Sequence, residues 1–394
     1  MIYKYSLIWI LALTILTCDT SPERQNATHH PPGITDDRIR IGSSLALGGH
    51  AGYLGTQTLH GAMAYIRHVN AQGGIHGRTI EVIAYDDGYD PPRCVTNTQK
   101  LIVQDKVFAL FCYVGTPTTV KILPLVEEAR VPVVGMFTGA NALREPLNPY
   151  LINVRASYYQ ETDAAVRYLV GDRKLTRVAV FYQYDAYGFD GLKGTEIALQ
   201  RFGLAPAATG TYIRGTLDVK DGLEKIMAAK AEAVVMIGTY EPCARFIHLA
   251  LKKHYSPVFY NVSFVGADEL ARLLGRIDAT IIVTQVVPPP EVAGTDMRLH
   301  GIREYRQLLQ QYFPDDQPNF VGLEGYINAR VLVEGLQRAG RQLDRKKFIR
   351  AIESIRQFDL GIDNLLSFSS RDHQGLEQVY FTHLEDGKFI WRNH

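Results

Sequence analysis

Between residues 39 and 137, four short apolar runs alternate with segments whose apolar positions recur at helical spacing. The runs at 39–45, 79–85, 107–113 and 131–137 read as strands, and residues 52–71, 92–104 and 118–129 read as the helices between them. A second block repeats the alternation, with strands expected at 177–182, 207–212, 233–237, 258–261 and 281–285. Runs such as AVVMIG and VAVFY are almost unbroken, as parallel strands covered by helices on both faces require. Two such blocks in succession predict an α/β protein with two doubly wound domains. Beyond residue 295 the pattern turns helical, over 296–312, 320–340 and 345–354. The closing QVYFTHLEDGKFIWRN predicts a β-hairpin turning at Asp386-Gly387.

The N-terminus breaks this pattern. Leu7 to Leu16 form a ten-residue apolar run behind Lys4. A membrane span needs roughly 20 apolar residues, so the run fits the core of a signal peptide over residues 1–18. It ends at Thr17-Cys18, which resembles a bacterial lipoprotein cleavage site with Cys18 as the lipidated residue. An ordinary secretory signal with an incidental cysteine is the alternative, and either places the mature protein outside the cytoplasm. Residues 19–36 are polar and proline-bearing, as a flexible linker would be.

The 394 residues carry 42 lysines and arginines against 41 acids, so no polyanion-binding surface is indicated and nucleic acid is not an expected partner. Twelve histidines are scattered without ligand spacing, and His29-His30 lie in the linker, so no metal site and no cofactor is expected. No G-x-S-x-G elbow, H-E-x-x-H helix, C-x-x-C or P-loop occurs. Gly49, Gly52 and Gly55 are spaced three apart and do not make G-x-G-x-x-G. An enzyme would have to assemble its site from dispersed residues. Besides Cys18 there are Cys94, Cys112 and Cys243. Cys94 opens a helix and Cys112 lies late in the next strand, so a Cys94–Cys112 disulfide is expected, with two buried free thiols as the alternative.

In open α/β sheets, ligands sit off the carboxyl ends of the strands, beside helix N-termini. Gly115-Thr116-Pro117-Thr118-Thr119 is such a place, suited to a carboxylate, although Thr118 or Thr119 could simply cap the helix. Tyr240 follows the strand VVMIG, and Tyr53 lies in the first glycine-rich turn. A tyrosine offers a large apolar ring and a hydrogen-bonding hydroxyl, as a closing wall requires.

Four segments, in this order, carry a resemblance: NAQGGIHGRTIEVIAYDD, YVGTPTTVKILPLVEEARVPVV, the AYG turn at 186–188, and LEGYINARVLVEGL. From about Asp37 to its end the chain resembles the type I periplasmic solute-binding proteins, specifically the leucine/isoleucine/valine-binding-like receptors of ABC transporters. The resemblance implies two Rossmann-like lobes joined by three crossing segments, near residues 152–155, 284–287 and 357–360. The N-terminal lobe would comprise 37–153 plus 287–357, and the C-terminal lobe 154–286 plus 358–394. It implies a ligand-binding hydroxyl at Thr116 and a second gripping turn at Thr138-Gly139, where this chain has glycine at the usual threonine position. On the second lobe it implies Tyr187, with Tyr158 nearby. The positions where amino-acid receptors place an acid for the ligand's ammonium are Ser157 and Ser263, both neutral, with Glu161, Asp185, Glu241 and Glu324 in reach along the sequence. The implied activity is capture of a small polar or carboxylate-bearing, amino-acid-like solute by hinge closure, without catalysis. The implied partner is an ABC permease in the inner membrane, and the membrane itself is met only through a lipid anchor. A ligand-sensing module for a partner receptor or kinase is the alternative use of the same fold.

Overall fold

The computed structural model describes residues 30–291 and 296–392. The signal peptide expected over 1–18, Cys18 with it, and the linker up to residue 29 lie outside the described residues.

The first sheet contains β1 (Arg38–Leu45), β2 (Thr79–Asp86), β3 (Ala109–Phe111), β4 (Val133–Val134) and β5 (Leu151–Ile152), all parallel, in the order β2-β1-β3-β4-β5. Helix α1 (Gly52–Ala71) leads outward from β1 to β2, and α2 (Pro91–Val103) returns past β1 to β3. Right-handed crossovers in opposite directions place these helices on opposite faces of the sheet. Asp90 starts α2 by accepting the Arg93 N–H, with Pro91 in the first turn. α2 packs against α3 (Thr116–Lys121) and α4 (Leu123–Ala129). The strands expected at 107–113 and 131–137 are cut to three and two residues. Cys112 (φ 51°) and Gly135 (φ 65°) leave the extended region, and pairing resumes only as a Val114–Phe137 bridge.

The second block gives α5 (Tyr158–Val166), β6 (Val178–Gln183), α6 (Ala186–Gln200), β7 (Thr209–Tyr212), α7 (Lys220–Ala228), β8 (Ala233–Ile237), α8 (Tyr240–Lys252), β9 (Val258–Asn261), α9 (Ala267–Leu274) and β10 (Ile281–Gln285). Helices α10 (His300–Tyr312), α11 (Phe320–Ala339) and α12 (Arg345–Glu353) follow, and α1 packs on α10 and α11. The late helices therefore complete the first lobe. A short antiparallel pair, β11 (Phe358–Asp359) and β12 (Leu365–Leu366), precedes the hairpin of β13 (Tyr380–Glu385) and β14 (Lys388–Trp391). The second sheet runs β14-β13-β10-β9-β8-β6-β7, with β13 antiparallel to β10. In both sheets the chain moves first to one side and then to the other, at β1/β3 and at β6/β8. These are the switch points beside which ligands bind.

Three expectations are corrected. The last residues of the 19–36 linker are built into the fold: Ile34 is buried and bridges Ile39, and the Arg40 N–H donates to the Gly33 carbonyl. The chain does not cross at 357–360, because residues 361–376 are still bonded to the first lobe. The Gly301 N–H donates to the Gly361 carbonyl and Arg330 reaches the Leu360 carbonyl. The passage comes later, where Gly375 and Leu376 N–H groups donate to the carbonyls of Asn153 and Val154 in the first crossing segment. Residues 358–376 thus belong with the N-terminal lobe. Finally, Cys94 and Cys112 are free and buried. Cys94 points from α2 toward Ser44 and Asp87, whereas Cys112 approaches Asn328 of α11. They face opposite sides of the first sheet, so no bond can join them. Cys243 is also a buried free thiol.

Candidate functional site

The first wall is built on the ends of β3 and β4. Gly115 follows β3 at φ 94°, and a Cβ there would sit 2.1 Å from Cε2 of Tyr89. Only glycine lets the turn pass beneath that ring. Thr116 and Thr138, from consecutive strand ends, meet with their hydroxyl oxygens 2.7 Å apart, both buried. Thr118 and Thr119 donate back to the carbonyls of Val114 and Gly115 and so serve the helix start itself. Gly139 accepts the Tyr158 N–H at 2.7 Å, which brings Tyr158 from the head of α5 against this wall.

The second wall rises from the ends of β6, β8 and β9. Asp185 caps α6 through the Tyr187 N–H and is itself held by Arg214 at 2.9 Å. The buried Tyr187 lies 5.2 Å from the Tyr158 ring. Tyr240, the first residue of α8, stands edge-on to Tyr53 of α1 at 6.2 Å. Thr116, Thr138, Gly139, Tyr158 and Tyr187 are thus brought together. Tyr53 and Tyr240 form a separate pair across the lobes beside Gly266, whose added Cβ would lie within 3.7 Å of both rings. Ser263 lies deeper, in a charge cluster.

Phe264 fills the space between the walls. Its ring lies 4.8 Å from Tyr187, 5.6 Å from Phe137 and 5.8 Å from Tyr89. Tyr89 in turn accepts from the Gln183 amide across the lobes at 3.3 Å. The walls are therefore closed on one another. The hinge side leaves a void of about 10 Å³ between Phe137, Ser263, Glu324 and the 285–287 passage, too small for a solute. Admission needs the lobes to part or Phe264 to swing away. Among the described residues, three buried polar atoms on these walls have no hydrogen-bond partner: the hydroxyls of Tyr158 and Thr239, and His50 Nε2. Each is open to a hydrogen bond from water or a solute. A cavity of about 730 Å³ lies elsewhere, between the starts of α1 and α11, helix α9 and β14, and shares only Tyr53 with the expected site.

Beneath the walls sits a cluster that sequence reasoning reached only in part. Arg155, in the first crossing segment, is fully buried and reaches Glu161 at 2.8 Å and Glu324 at 3.3 Å. Glu161 also accepts from the Ser263 N–H (2.7 Å), the Ser263 hydroxyl (2.9 Å) and Thr284 (2.7 Å). Ser263 in turn accepts a second guanidinium hydrogen bond from Arg155. Burial pushes the Glu324 carboxyl up to about 7 despite the attraction of Arg155, while the two carboxylates hold the Arg155 pKa up. Of the other acids in reach along the sequence, Asp185 is engaged as described and Glu241 is half-buried beside Tyr240 and Arg272. Arg155, Tyr89, Thr239 and Phe264 were missed. Phe264 adjoins Ser263 and Arg155 lies in the expected crossing, but no local pattern marks either as facing the cleft. Among the described residues no group of three or more His, Cys, Asp or Glu side chains is placed to hold a metal ion.

Two sheets whose switch-point ends face one another, with walls of hydroxyls and aromatic rings and several chain passages at the hinge, define a two-lobed solute receptor. The chain belongs to the periplasmic binding protein family, which it matches over residues 38–388, and within it to the leucine/isoleucine/valine-binding-like, type I proteins. The family consists of substrate-binding proteins rather than enzymes, works with ABC transporters and is extracytoplasmic. Among the described residues no helix is long and apolar enough to cross a membrane. A solved structure of a possible leucine/isoleucine/valine-binding protein from Rhodopirellula baltica is 35% identical, with a TM-score of 0.86, covering 93% of this chain and 98% of that one. Leu/Ile/Val-binding protein homolog 7 of Brucella abortus is 22% identical over 312 residues, 76% of this chain and 77% of its own length. An amino acid binding protein of Pseudomonas aeruginosa is 25% identical over 221 residues, 56% of this chain; the match spans 59% of that relative.

Proposed function

We propose that the chain captures a small polar or carboxylate-bearing solute between its lobes and delivers it to the permease of an ABC importer in the inner membrane. The carrying observation is convergence: Thr116 and Thr138 on one lobe face Tyr158 and Tyr187 from the other, and Phe264 bridges the two sides. Paired hydroxyls suit an acceptor such as a carboxylate, and the rings suit an apolar body. Capture is by hinge closure, the closed form being selected by contacts that it alone completes. The names of the relatives support amino-acid-like solutes as the first class to test. A lipid on Cys18 would keep the receptor beside its permease.

A thermal-shift screen over branched-chain amino acids, small amides and aromatic carboxylates is the first test, followed by calorimetry on the best compound. Thr116→Val combined with Tyr187→Ala should abolish measurable binding while leaving the far-ultraviolet circular dichroism unchanged. Unaltered affinity in that variant refutes the site. Mass spectrometry of the protein extracted from membranes should find diacylglycerol on Cys18, and a free N-terminus elsewhere refutes the anchor.

A further inference from the structure

We infer that the solute of this cleft is a monocarboxylate with an apolar, ring-sized body and no free ammonium group. The inference rests on the receptor reading above and narrows its chemistry.

An ammonium taken into a dry cleft needs a carboxylate with spare acceptor capacity, because an unpaired buried charge is not tolerated. The acids around these walls have little to spare. Glu161 accepts four hydrogen bonds from protein donors, from Arg155, Thr284 and both the amide and hydroxyl of Ser263. Asp185 is occupied by Arg214, Gln183 and the Tyr187 amide. Asp87, behind Tyr89, accepts from Ser44 and the Tyr89 amide. Glu324 keeps the most freedom, but it faces the 10 Å³ void on the hinge side rather than the Thr116–Thr138 pair.

The charges beneath the walls are close to balanced. Arg155 and Arg144 are both buried in the cleft floor. Arg144 is bonded to the carbonyls of Ala140 and Arg155 and to Gln374, with no carboxylate among its hydrogen-bond partners in the described residues. Against these two cations stand Glu161, Glu324 and, near Arg144, Asp190; burial holds the Glu324 carboxyl at about 7 and that of Asp190 at about 6, so near neutrality Glu324 is only partly ionised. The floor is then close to neutral and offers a cation little net attraction.

The walls define the remainder of the solute. Tyr89, Phe137, Tyr158, Tyr187 and Phe264 surround the space with rings, and Arg155 stands 5.4 Å and 5.7 Å from the ring centres of Phe137 and Tyr158. Phe264 spans both lobes, so a body of about the size of its ring can take its place. Of the two hydroxyl protons of Thr116 and Thr138, one lies between the two oxygens and the other is free to turn toward a carboxylate.

Three matched compounds of one skeleton test this by calorimetry on unfolded and refolded protein, free of carried-over solute: 3-phenylpropanoate, phenylalanine and 3-phenylpropanamide. A second set, 4-methylpentanoate, leucine and 4-methylpentanamide, covers a branched body. The acid should bind at least 100-fold more tightly than the amino acid and the amide of its set. An amino acid binding as well as its acid overturns the inference and leaves the receptor reading standing. An amide binding as well as the acid overturns the carboxylate. Binding by no member of either set, when the wider screen also finds nothing, overturns the receptor reading itself.

Discussion

At Gly139 the first wall touches the second, and one hydrogen atom in place of a methyl group makes that possible. A Cβ at this position would lie 2.6 Å from Cδ1 of Tyr158 and 2.7 Å from its backbone nitrogen, whose N–H is tied to the Gly139 carbonyl. Neither neighbour can give way without moving α5. Gly139→Ala should therefore destabilise the protein by about 1–3 kcal/mol, as overpacking does. Gly171→Ala, where the nearest atom is 3.8 Å from the new Cβ, should be neutral or mildly stabilising. Urea unfolding of the two variants separates these outcomes, and equal midpoints would contradict the packing. The cysteines make a second residue-scale prediction. Burial pushes the thiols of Cys94, Cys112 and Cys243 upward, which suppresses the reactive thiolate. All three should resist an aromatic disulfide reagent in the native protein and react on denaturation, and a reductant should leave the melting temperature unchanged. A reductant-sensitive melting temperature would restore the Cys94–Cys112 bond.

Among the elements, α1 and α11 are set against each other by glycine. A Cβ on Gly61 would stand 1.8 Å from the Gly322 carbonyl oxygen, and one on Gly325 2.1 Å from that of Thr58. Backbone meets backbone at both points, so the helices lie as close as helices can. Gly61→Ala should cost about 3 kcal/mol, more than the same change at an exposed helical glycine, which is expected to stabilise; a melting temperature within two degrees of wild type would refute this packing. Elements of this kind were legible where sequence pattern and fold agree. The apolar runs of β1, β6, β8, β9 and β10 stand out between more polar segments, so their succession along the chain followed from pattern alone. The third passage between lobes was placed at residues 357–360 by resemblance, but Phe358–Asp359 there pair with Leu365–Leu366, and the passage at Gln374-Gly375-Leu376 has no strand pattern to show it. Its role comes from hydrogen bonds to Asn153 and Val154, which no local pattern encodes. The same limit hid Phe264 and Arg155: both sit in recognisable segments, but only tertiary packing turns one into the plug of the cleft and the other into the cation of its floor.

Across the whole molecule, the lobes are joined by contacts in which carboxyl groups recur. Asp190 of α6 accepts the Asn141 N–H at 3.0 Å, Asp268 of α9 accepts the Phe320 N–H at 3.2 Å, and Glu324 of α11 holds Arg155. Burial pushes Asp190 and Asp268 up to about 6 and Glu324 up to about 7. Arg144 near Asp190, and Arg155 and Arg144 near Glu324, reduce these shifts without cancelling them. When the lobes part, water reaches these carboxyls and their values fall back toward the ordinary carboxylate range. The closed form therefore binds more protons than the open form between roughly pH 4 and 7. The sign follows directly: closure is favoured as pH falls through 7 and then 6, and that advantage is lost as pH rises through the same values. On the order of tenfold in the closure equilibrium between pH 7 and pH 5 is expected, which is linkage for a mean of about half a proton over that range. Small-angle scattering of the solute-free protein should show the radius of gyration shrinking over this range, and calorimetry in buffers of different ionisation enthalpy should show proton uptake on binding at pH 6. Asp190→Asn with Asp268→Asn should weaken both dependences, leaving the share of Glu324. A radius of gyration and a proton count that do not change with pH in the unaltered protein would mean that these carboxyls are equally dry in both forms, and that the lobes do not part where the structure joins them.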